Sequence, residues 1–440
     1  MDSTINQAYA KILSEIIKKE TVSVTGVRNK EKFDAFHALL KELFPNLFGA
    51  ADIEDFDGSL LLRWKGKSDS HPILLMSHHD VVEANAEDWK YPPFSGEIAE
   101  GKVWGRGTLD TKGSLMAMLK AADELIGEGF VPEHDVWFET ACTEETDGSG
   151  ADKITAALEK RGIRFDLVLD EGGMMLDEPL PGAKGKFAMI GAGEKGFADL
   201  KFIAKSKGGH ASTPGKNTPL VRLGKFMAAV EKSGCFKAEL SPVITEMFKR
   251  LAPYMSGPLG KIFSKADKMK WLLSKAMPMA SPTAAALLRT TIAFTMSKGS
   301  DGRNVLPQEA FVVGNMRYSH HQGGPASIKA VSKIAAKYDI ETEILSPGFA
   351  SDVTDFNSKG FRLVEATVKK VFPEAVPVPY IMTGASDARY FSRVSDCCVR
   401  FAPFTISHEQ MASIHGVDEN VDASTLAGAV EFYRNIIKSA

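Results

Sequence analysis

The alternation of apolar and polar positions divides the chain into three stretches of different texture. In the first, apolar runs of strand length alternate with segments whose apolar residues recur at helical spacing. The opening MDSTINQAYAKILSEIIKKE predicts an amphipathic helix. HPILLMSHHDVV reads as a strand, GSLMAMLKAADELIGEG as a helix stopped by glycine, and HDVWFETACTEE as a second strand. ADKITAALEKRG reads as a short helix and FDLVLDEGG as a third strand. Strands alternating with helices predict an α/β fold, a mostly parallel sheet flanked by helices, with ligands at the carboxyl ends of its strands.

The pattern changes near Gly193. GFADLKFIAKSKGG alternates like a strand with one wet face, and TPLVRLGKFMAAVEKSG is helical. Phe236 to Thr290 is rich in Met, Leu, Phe and Lys and reads as two or three helices. Two strands (RTTIAFTMSKG, EAFVVGNMRYS), a helix (ASIKAVSKIAAKY) and a strand (IETEILS) follow. From about Asp355 the α/β texture returns, through FRLVEATVKKVFP and CCVRFAPF to the closing helix TLAGAVEFYRNIIKSA. The expected organisation is a catalytic domain made of residues 1–192 and 349–440, interrupted by an α+β lid or dimerisation unit at 193–348 that includes an apolar helical segment at about 236–290.

Composition narrows the function classes. The 440 residues carry a formal net charge of only −3, which argues against a dedicated nucleic-acid or anionic-membrane binder. No apolar run approaches the roughly 18 residues of a membrane span. The four cysteines form no CxxC pair and the N-terminus does not read as a signal peptide, so a cytoplasmic location is expected.

The chemistry-bearing residues gather at predicted strand ends. In SHHDVV, strand alternation puts His78 and Asp80 on one face and His79 on the other. Such a pair suits a metal ligand oriented by a carboxylate, although alone a surface histidine is the better reading. Asp110 lies in the glycine-rich GRGTLDTKG, where a helix-capping role is the ordinary alternative. Glu144 and Glu145 are adjacent acids in TEE, costly together unless a cation compensates them, and able to serve one site only if the strand has ended. Asp170 and Glu171 end another strand, and His415 lies in a polar loop near the C-terminus. Imidazole and carboxylate donors together suit zinc, with cobalt or manganese as substitutes. IGAGEKG spells a dinucleotide-binding G-x-G-x-x-G, but a strand and not a helix is predicted to follow, which removes that reading. Cys142, mid-strand among apolar residues, reads as core, and Ser212 beside His210 lacks a nucleophile elbow.

Taken in order, SHHDVV, GRGTLDTKG, TEE, LDEGG, GGHASTPG, NVLP with NMR, GASDAR and IHGVDE resemble the di-zinc aminoacylase/carboxypeptidase family. Its members include aminoacylase, carboxypeptidase S, acetylornithine deacetylase, succinyl-diaminopimelate desuccinylase and tripeptidase. The resemblance runs from about His71 to Glu419, and LDEGG with ALLRTTIAFTMSKG gives it a finer likeness to carboxypeptidase S and N-fatty-acyl-amino-acid hydrolases. It implies that His78, Asp110 and Glu171 hold one zinc, and Asp110, Glu145 and His415 the other, with Asp110 shared and Asp80 supporting His78. Asp170 is the alternative to Glu171. The resemblance implies Glu144 as general base and a cis bond after Asp110. His210 would polarise the scissile carbonyl, often across a dimer, while Asn304, Arg317 and Gly384 would meet the substrate, with Arg317 on its carboxylate. The sequence departs from the family pattern at His79 and at Ser386, where threonine is frequent.

The expected activity is hydrolysis of an amide or peptide bond beside a free α-carboxylate, on small N-acyl-amino acids or short peptides, with a homodimer possible and no nucleic-acid or membrane partner. A deacylase of a small biosynthetic intermediate such as acetylornithine, or a non-catalytic metal-binding relative, are the alternatives. The apolar residues Met247, Phe248, Met255, Phe263, Trp271, Leu272 and Leu273 would either cover a bulky acyl chain or extend the core.

Overall fold

The computed structural model describes residues 3–27 and 29–439. A ten-stranded sheet runs in the order Asp52–Phe56, Ser59–Trp64, His134–Thr140, Ser68–Met76, Leu167–Asp170, Cys398–Arg400, Lys186–Glu194, Met175–Asp177, Thr405–Ile406, with Ala375–Met382 branching from Lys186–Glu194. From His134–Thr140 to Cys398–Arg400 the neighbours are parallel, and the Asp52–Trp64 hairpin closes one edge antiparallel. Parallel neighbours need crossovers, and the helices Lys112–Gly127 and Ser149–Lys160 supply them. Lys112–Gly127 is apolar nearly all round (KGSLMAMLKAADELIG), which fits a helix sandwiched between the sheet and the closing helix Leu426–Ser439. The opening helix Ser3–Lys18 forms as its periodicity predicts and buries Leu13, Ile16 and Ile17.

The chain leaves this sheet at Glu194 and, after the single residue Lys195, enters a second, four-stranded antiparallel sheet ordered Thr291–Lys298, Glu309–Tyr318, Gly196–Lys205, Glu341–Ser346. The helices Pro219–Lys232 and Gly324–Ala336 cover it, and Phe202, Phe226, Met316 and Val331 form its separate core. The extension that continues through IGAGEKG is strand on both sides, so no helix opens there.

The segment between Phe236 and Thr290 differs from its sequence reading in two ways. It makes four helices, Pro242–Leu251, Pro258–Phe263, Lys270–Ala280 and Pro282–Leu288, because three of them begin at a proline, which starts a helix well and cannot continue one. Its apolar residues also join the core of the large sheet instead of that of the four-stranded sheet: Met247, Phe248, Phe263 and Leu273 are buried there, and the Phe248 and Phe263 rings stack at 4.3 Å. Arg250 fixes the contact by pairing with Glu365 and donating to the Pro377 carbonyl.

Candidate metal and active site

The chemistry gathers where the parallel strands end. Ser68–Met76, His134–Thr140 and Leu167–Asp170 run in register (Met76 opposite Glu139, Leu75 opposite Leu169), so the residues that follow them emerge side by side. His78 and Asp80 share one face, as alternation predicts. His79 points the other way and stacks on Phe36 at 5.1 Å. The His78 Nδ1 faces the Asp80 carbonyl at 2.9 Å, which leaves Nε2 aimed at the opposite loop.

The strand His134–Thr140 ends before Thr143, and Thr143–Gly148 turns back on itself through three bonds to the Thr143 carbonyl. Glu144 and Glu145 therefore leave strand alternation and face one site together. Asp80 fixes that turn: its two carboxylate oxygens accept from the backbone N–H of Glu144 (3.2 Å) and Glu145 (3.1 Å), and one also accepts from Ser23 Oγ at 2.6 Å. One side chain thus joins the His78 strand to the two acids.

Asp110 is delivered by the glycine-rich loop. Gly107 has φ +92°, and a Cβ at Gly113 would lie 2.3 Å from the Thr108 carbonyl, so glycine is required at both. The Asp110–Thr111 peptide is cis, as the resemblance implies, and Thr111 Oγ1 donates to the His78 carbonyl at 3.0 Å. Below the loop, Glu419 is fully buried and accepts from Arg106 Nη1 (2.6 Å) and from the N–H groups of Gly107, Leu109 and Asp110. Glu419 lies within IHGVDE, and nothing in its local sequence marks it for this role. The glycine-rich run signals N–H groups in need of an acceptor, but which acid meets them is set by a contact far along the chain.

The resulting geometry is specific. Asp110 Oδ1 lies 2.9 Å from His78 Nε2, and its other oxygen, Oδ2, lies 3.0 Å from His415 Nε2. His415 Nε2 is also 3.0 Å from Glu145 Oε2. Glu144 Oε2 is 4.0 Å from His78 Nε2. One ligand atom each from His78, Asp110 and Glu145 fall within 4.8 Å of one another. Glu171 follows the next strand end, near enough for Asp110, His78 and Glu144 to act on its charge, while Asp170 beside it is held by the backbone, its carboxylate accepting from the N–H of Glu171 and of Ala388, each at 2.8 Å.

The electrostatics describe a site with more acid than the chain compensates. Burial, then Asp110 and Glu145, push the Glu144 carboxyl up to about 8. Burial and the neighbouring Asp110, Asp170 and Glu144 push Glu171 well up. His415 is raised to about 10 by its bonds to Asp110 and Glu145. Burial opposes charge on His78, but Asp110, Asp80 and Glu144 outweigh it and raise its pKa. The excess continues beneath, where burial pushes Glu139 and Asp387 well up and both oxygens of Asp387 lack a partner. Two imidazoles stand in for missing positive charge among four carboxylates. Nitrogen and oxygen donors converging from separate strand ends, with one carboxylate divided between two histidines, fit divalent cations.

The remaining residues singled out from the sequence lie elsewhere. His210 is exposed on a two-residue strand paired with Val305–Leu306, its Nδ1 2.7 Å from Ser212 Oγ, and the Asn304 carbonyl accepts from the Ala211 N–H. Arg317 lies on the strand Glu309–Tyr318, 5.8 Å from the Phe197 ring, with Arg389 at the same distance. Gly384 lies in the open turn after Ala375–Met382, and Ser386 Oγ donates to Glu194 at 2.9 Å. Among the described residues, no hydrogen bond or ion pair joins His210, Asn304 or Arg317 to the acidic cluster, and Arg317 has no carboxylate partner. Cys142 is core, with its thiol pushed up to about 11 by burial. No helix is long and apolar enough to cross a membrane among the described residues.

Residues 74–439 match peptidase family M20/M25/M40. The chain is 30% identical to the human N-fatty-acyl-amino acid synthase/hydrolase PM20D1, over 98% of this chain and 88% of that protein. It is also 30% identical to the probable carboxypeptidase S-like 2 of Dictyostelium discoideum, over 100% of this chain and 87% of that protein. Its fold superposes on the M20 family metallo-carboxypeptidase of Sulfolobus solfataricus with a TM-score of 0.73 at 20% identity, covering 100% and 99% of the two chains. The chain belongs to peptidase family M20/M25/M40 and is a metal-dependent hydrolase of amide bonds.

Proposed function

We propose that the chain hydrolyses the amide bond next to a free α-carboxylate, in N-acyl-amino acids or short peptides, with two zinc ions. The observation that carries this reading is the division of Asp110 between His78 and His415, with Glu144 beside it. His78, Asp110 and Glu171 would hold one cation, and Asp110, Glu145 and His415 the other, with Asp80 keeping His78 and the Glu144–Glu145 turn in place. When bound, such cations supply the Lewis acidity that lowers the pKa of water from 15.7 toward roughly 7 and polarises a carbonyl.

Glu144 is the general base. It takes the proton of the attacking water and passes it to the leaving amine, acting first as base and then as acid. Its burial favours that role, because a carboxylate desolvated among acids holds a proton more tightly than one in water. Arg317 binds the substrate carboxylate. Among the described residues its guanidinium has no acid of its own, and a bidentate pair is the interaction such a group is shaped for. Asn304 and the open turn at Gly384 add polar contacts to the substrate, and His210 supports the developing oxyanion. His210 stands apart from the cluster, so it arrives by closure of the four-stranded sheet or from a second copy of the chain. A cytoplasmic location belongs to the same proposal and rests on four free cysteines.

The test is amine release by zinc-loaded protein from N-acetyl, N-long-acyl and dipeptide substrates, each with a free and an amidated carboxylate. Release confined to the free acids is expected, and the preferred acyl length names the subclass. Equal release from amidated substrates would remove Arg317 from its role. Mixing His210→Ala with Glu144→Gln chains separates the two routes for His210: recovered turnover assigns it to the second copy, and none assigns it to closure.

A further inference from the structure

The helices Pro258–Phe263 and Lys270–Ala280, joined by six residues, each carry an exposed side that neither the fold nor the acidic cluster uses. Their inward side chains Phe263 and Leu273, and Ala266 between the helices, are buried in the core of the large sheet. Their outward ones include Leu259, Trp271 and Met279, which are 42%, 68% and 88% exposed. Trp271, Lys275 and Met279 follow at intervals of four on one helix, so they share its outer face. The other four tryptophans, Trp64, Trp89, Trp104 and Trp137, are each at most 9% exposed. An open indole is therefore a property of this face alone.

The charge of the face is equally one-sided. Pro258–Ala280 contains five lysines, Lys261, Lys265, Lys268, Lys270 and Lys275, against one aspartate, in a chain whose net charge is −3. All five are exposed, and none has a carboxylate within ion-pair distance among the described residues. The one acid, Asp267, faces Lys249 at 3.7 Å, and the Lys275 ammonium lies 5.9 Å from the Trp271 ring centre. The near-neutral balance of the whole chain conceals this local excess.

We propose that this face docks on the surface of an anionic lipid bilayer, with Trp271, Met279 and Leu259 entering the headgroup boundary and the lysines lying over the phosphates. Indole at the boundary, flexible apolar side chains beneath it and lysines whose stems reach upward are what such an interface favours. A nucleic acid would use the lysines and leave Met279 and Leu259 in water. A second copy of the same face would bring five unpaired lysines against five more, which repels. Each lysine near an anionic surface contributes about fivefold in binding.

The experiment uses the whole protein with vesicles of phosphatidylcholine alone or containing phosphatidylglycerol, read by co-sedimentation and tryptophan emission. Anionic vesicles are expected to bind the protein, shift its emission to the blue and lose it as salt rises. Trp271→Ala removes the shift, and Lys265→Gln with Lys268→Gln weakens binding by more than tenfold. Turnover of a soluble short-chain substrate stays unchanged in these variants, which separates loss of the surface from misfolding. No binding at low salt, or binding indifferent to both changes, overturns the proposal. Emission that is already blue without vesicles and reddens on dilution assigns the face to a second copy, and tighter retention on a DNA duplex assigns it to nucleic acid; either result overturns it.

Discussion

Glu419 and Glu144 are two buried glutamates that both act on Asp110, and their immediate partners are opposite. Glu419 meets a guanidinium and three backbone N–H groups, which oppose the upward push that burial exerts on its carboxyl. Glu144 meets Asp110, Glu145 and Asp80, with only His78 to offset them. A buried acid that the fold completes is part of the framework. A buried acid that the fold leaves incomplete marks where charge arrives from outside. The first kind positions Asp110; the second kind is what Asp110 is positioned among.

Removing one carboxylate from each side breaks the comparison most directly. Glu144→Gln keeps the shape, lowers like-charge repulsion and removes the base. Turnover is expected to fall by about 10²–10⁴-fold, about 3–5.5 kcal/mol of barrier, with zinc content unchanged. Steady-state kinetics with metal analysis of the same sample decide it, and wild-type rates would remove Glu144 from the mechanism. Glu419→Gln does the reverse. It leaves the Arg106 charge buried and uncompensated, which costs about 3–5 kcal/mol of folding stability. In urea unfolding of the cation-free chains, Glu419→Gln is expected to be much less stable than wild type and Glu144→Gln at least as stable. Equal losses in the two variants would mean that both acids are structural.

The same contrast explains what could be read from the sequence. His78, Asp110, Glu145 and His415 stand at strand ends or in polar loops, which local pattern shows, but each signal is weak alone and their roles come from the ordered motifs that resemble a family. The strand–helix order of the first half, and the strand after IGAGEKG, were equally local. Glu419 was not legible in that way, since its partner Arg106 is 313 residues away. Nor was the packing of the helices between Phe236 and Thr290, where periodicity identifies an apolar face without saying which sheet it meets. Within that segment, burial of Phe248 and exposure of Trp271 look alike in composition and are separated only by the packed structure. Asp80 was read as supporting His78, but its grip on the Glu144–Glu145 turn depends on two strands lying side by side.

Proton linkage sharpens the comparison at a smaller scale. The Glu144 carboxyl titrates near 4.5 when unfolded and is pushed up to about 8 in the cation-free fold. Between those values the folded chain holds a proton that the unfolded chain has released. Stability of the cation-free protein therefore falls as pH rises from about 4.5 to about 8, by up to about 1.4 kcal/mol per pH unit for one proton. Cation binding displaces that proton, so stabilisation by zinc grows over the same window. Thermal melts with and without zinc between pH 5 and 8 are expected to diverge, and parallel curves would mean that Glu144 is already ionised in the empty site.

The smallest effect tests the comparison where it is tightest, between two adjacent residues. Asp170 has both carboxylate oxygens on backbone N–H groups, from Glu171 and Ala388. The charges that act most on Glu171 are other acids and His78. If internal completion separates framework from ligand, Asp170→Asn loses about 1–3 kcal/mol of stability, because one N–H loses its acceptor, and keeps both cations. Glu171→Gln then keeps its cation-free stability and loses affinity for one cation. Metal titration by calorimetry, paired with unfolding of the cation-free chains, reads both quantities. The reverse outcome, with Asp170→Asn losing the metal, would exchange the two roles and show that hydrogen bonding in the empty site does not identify its ligands.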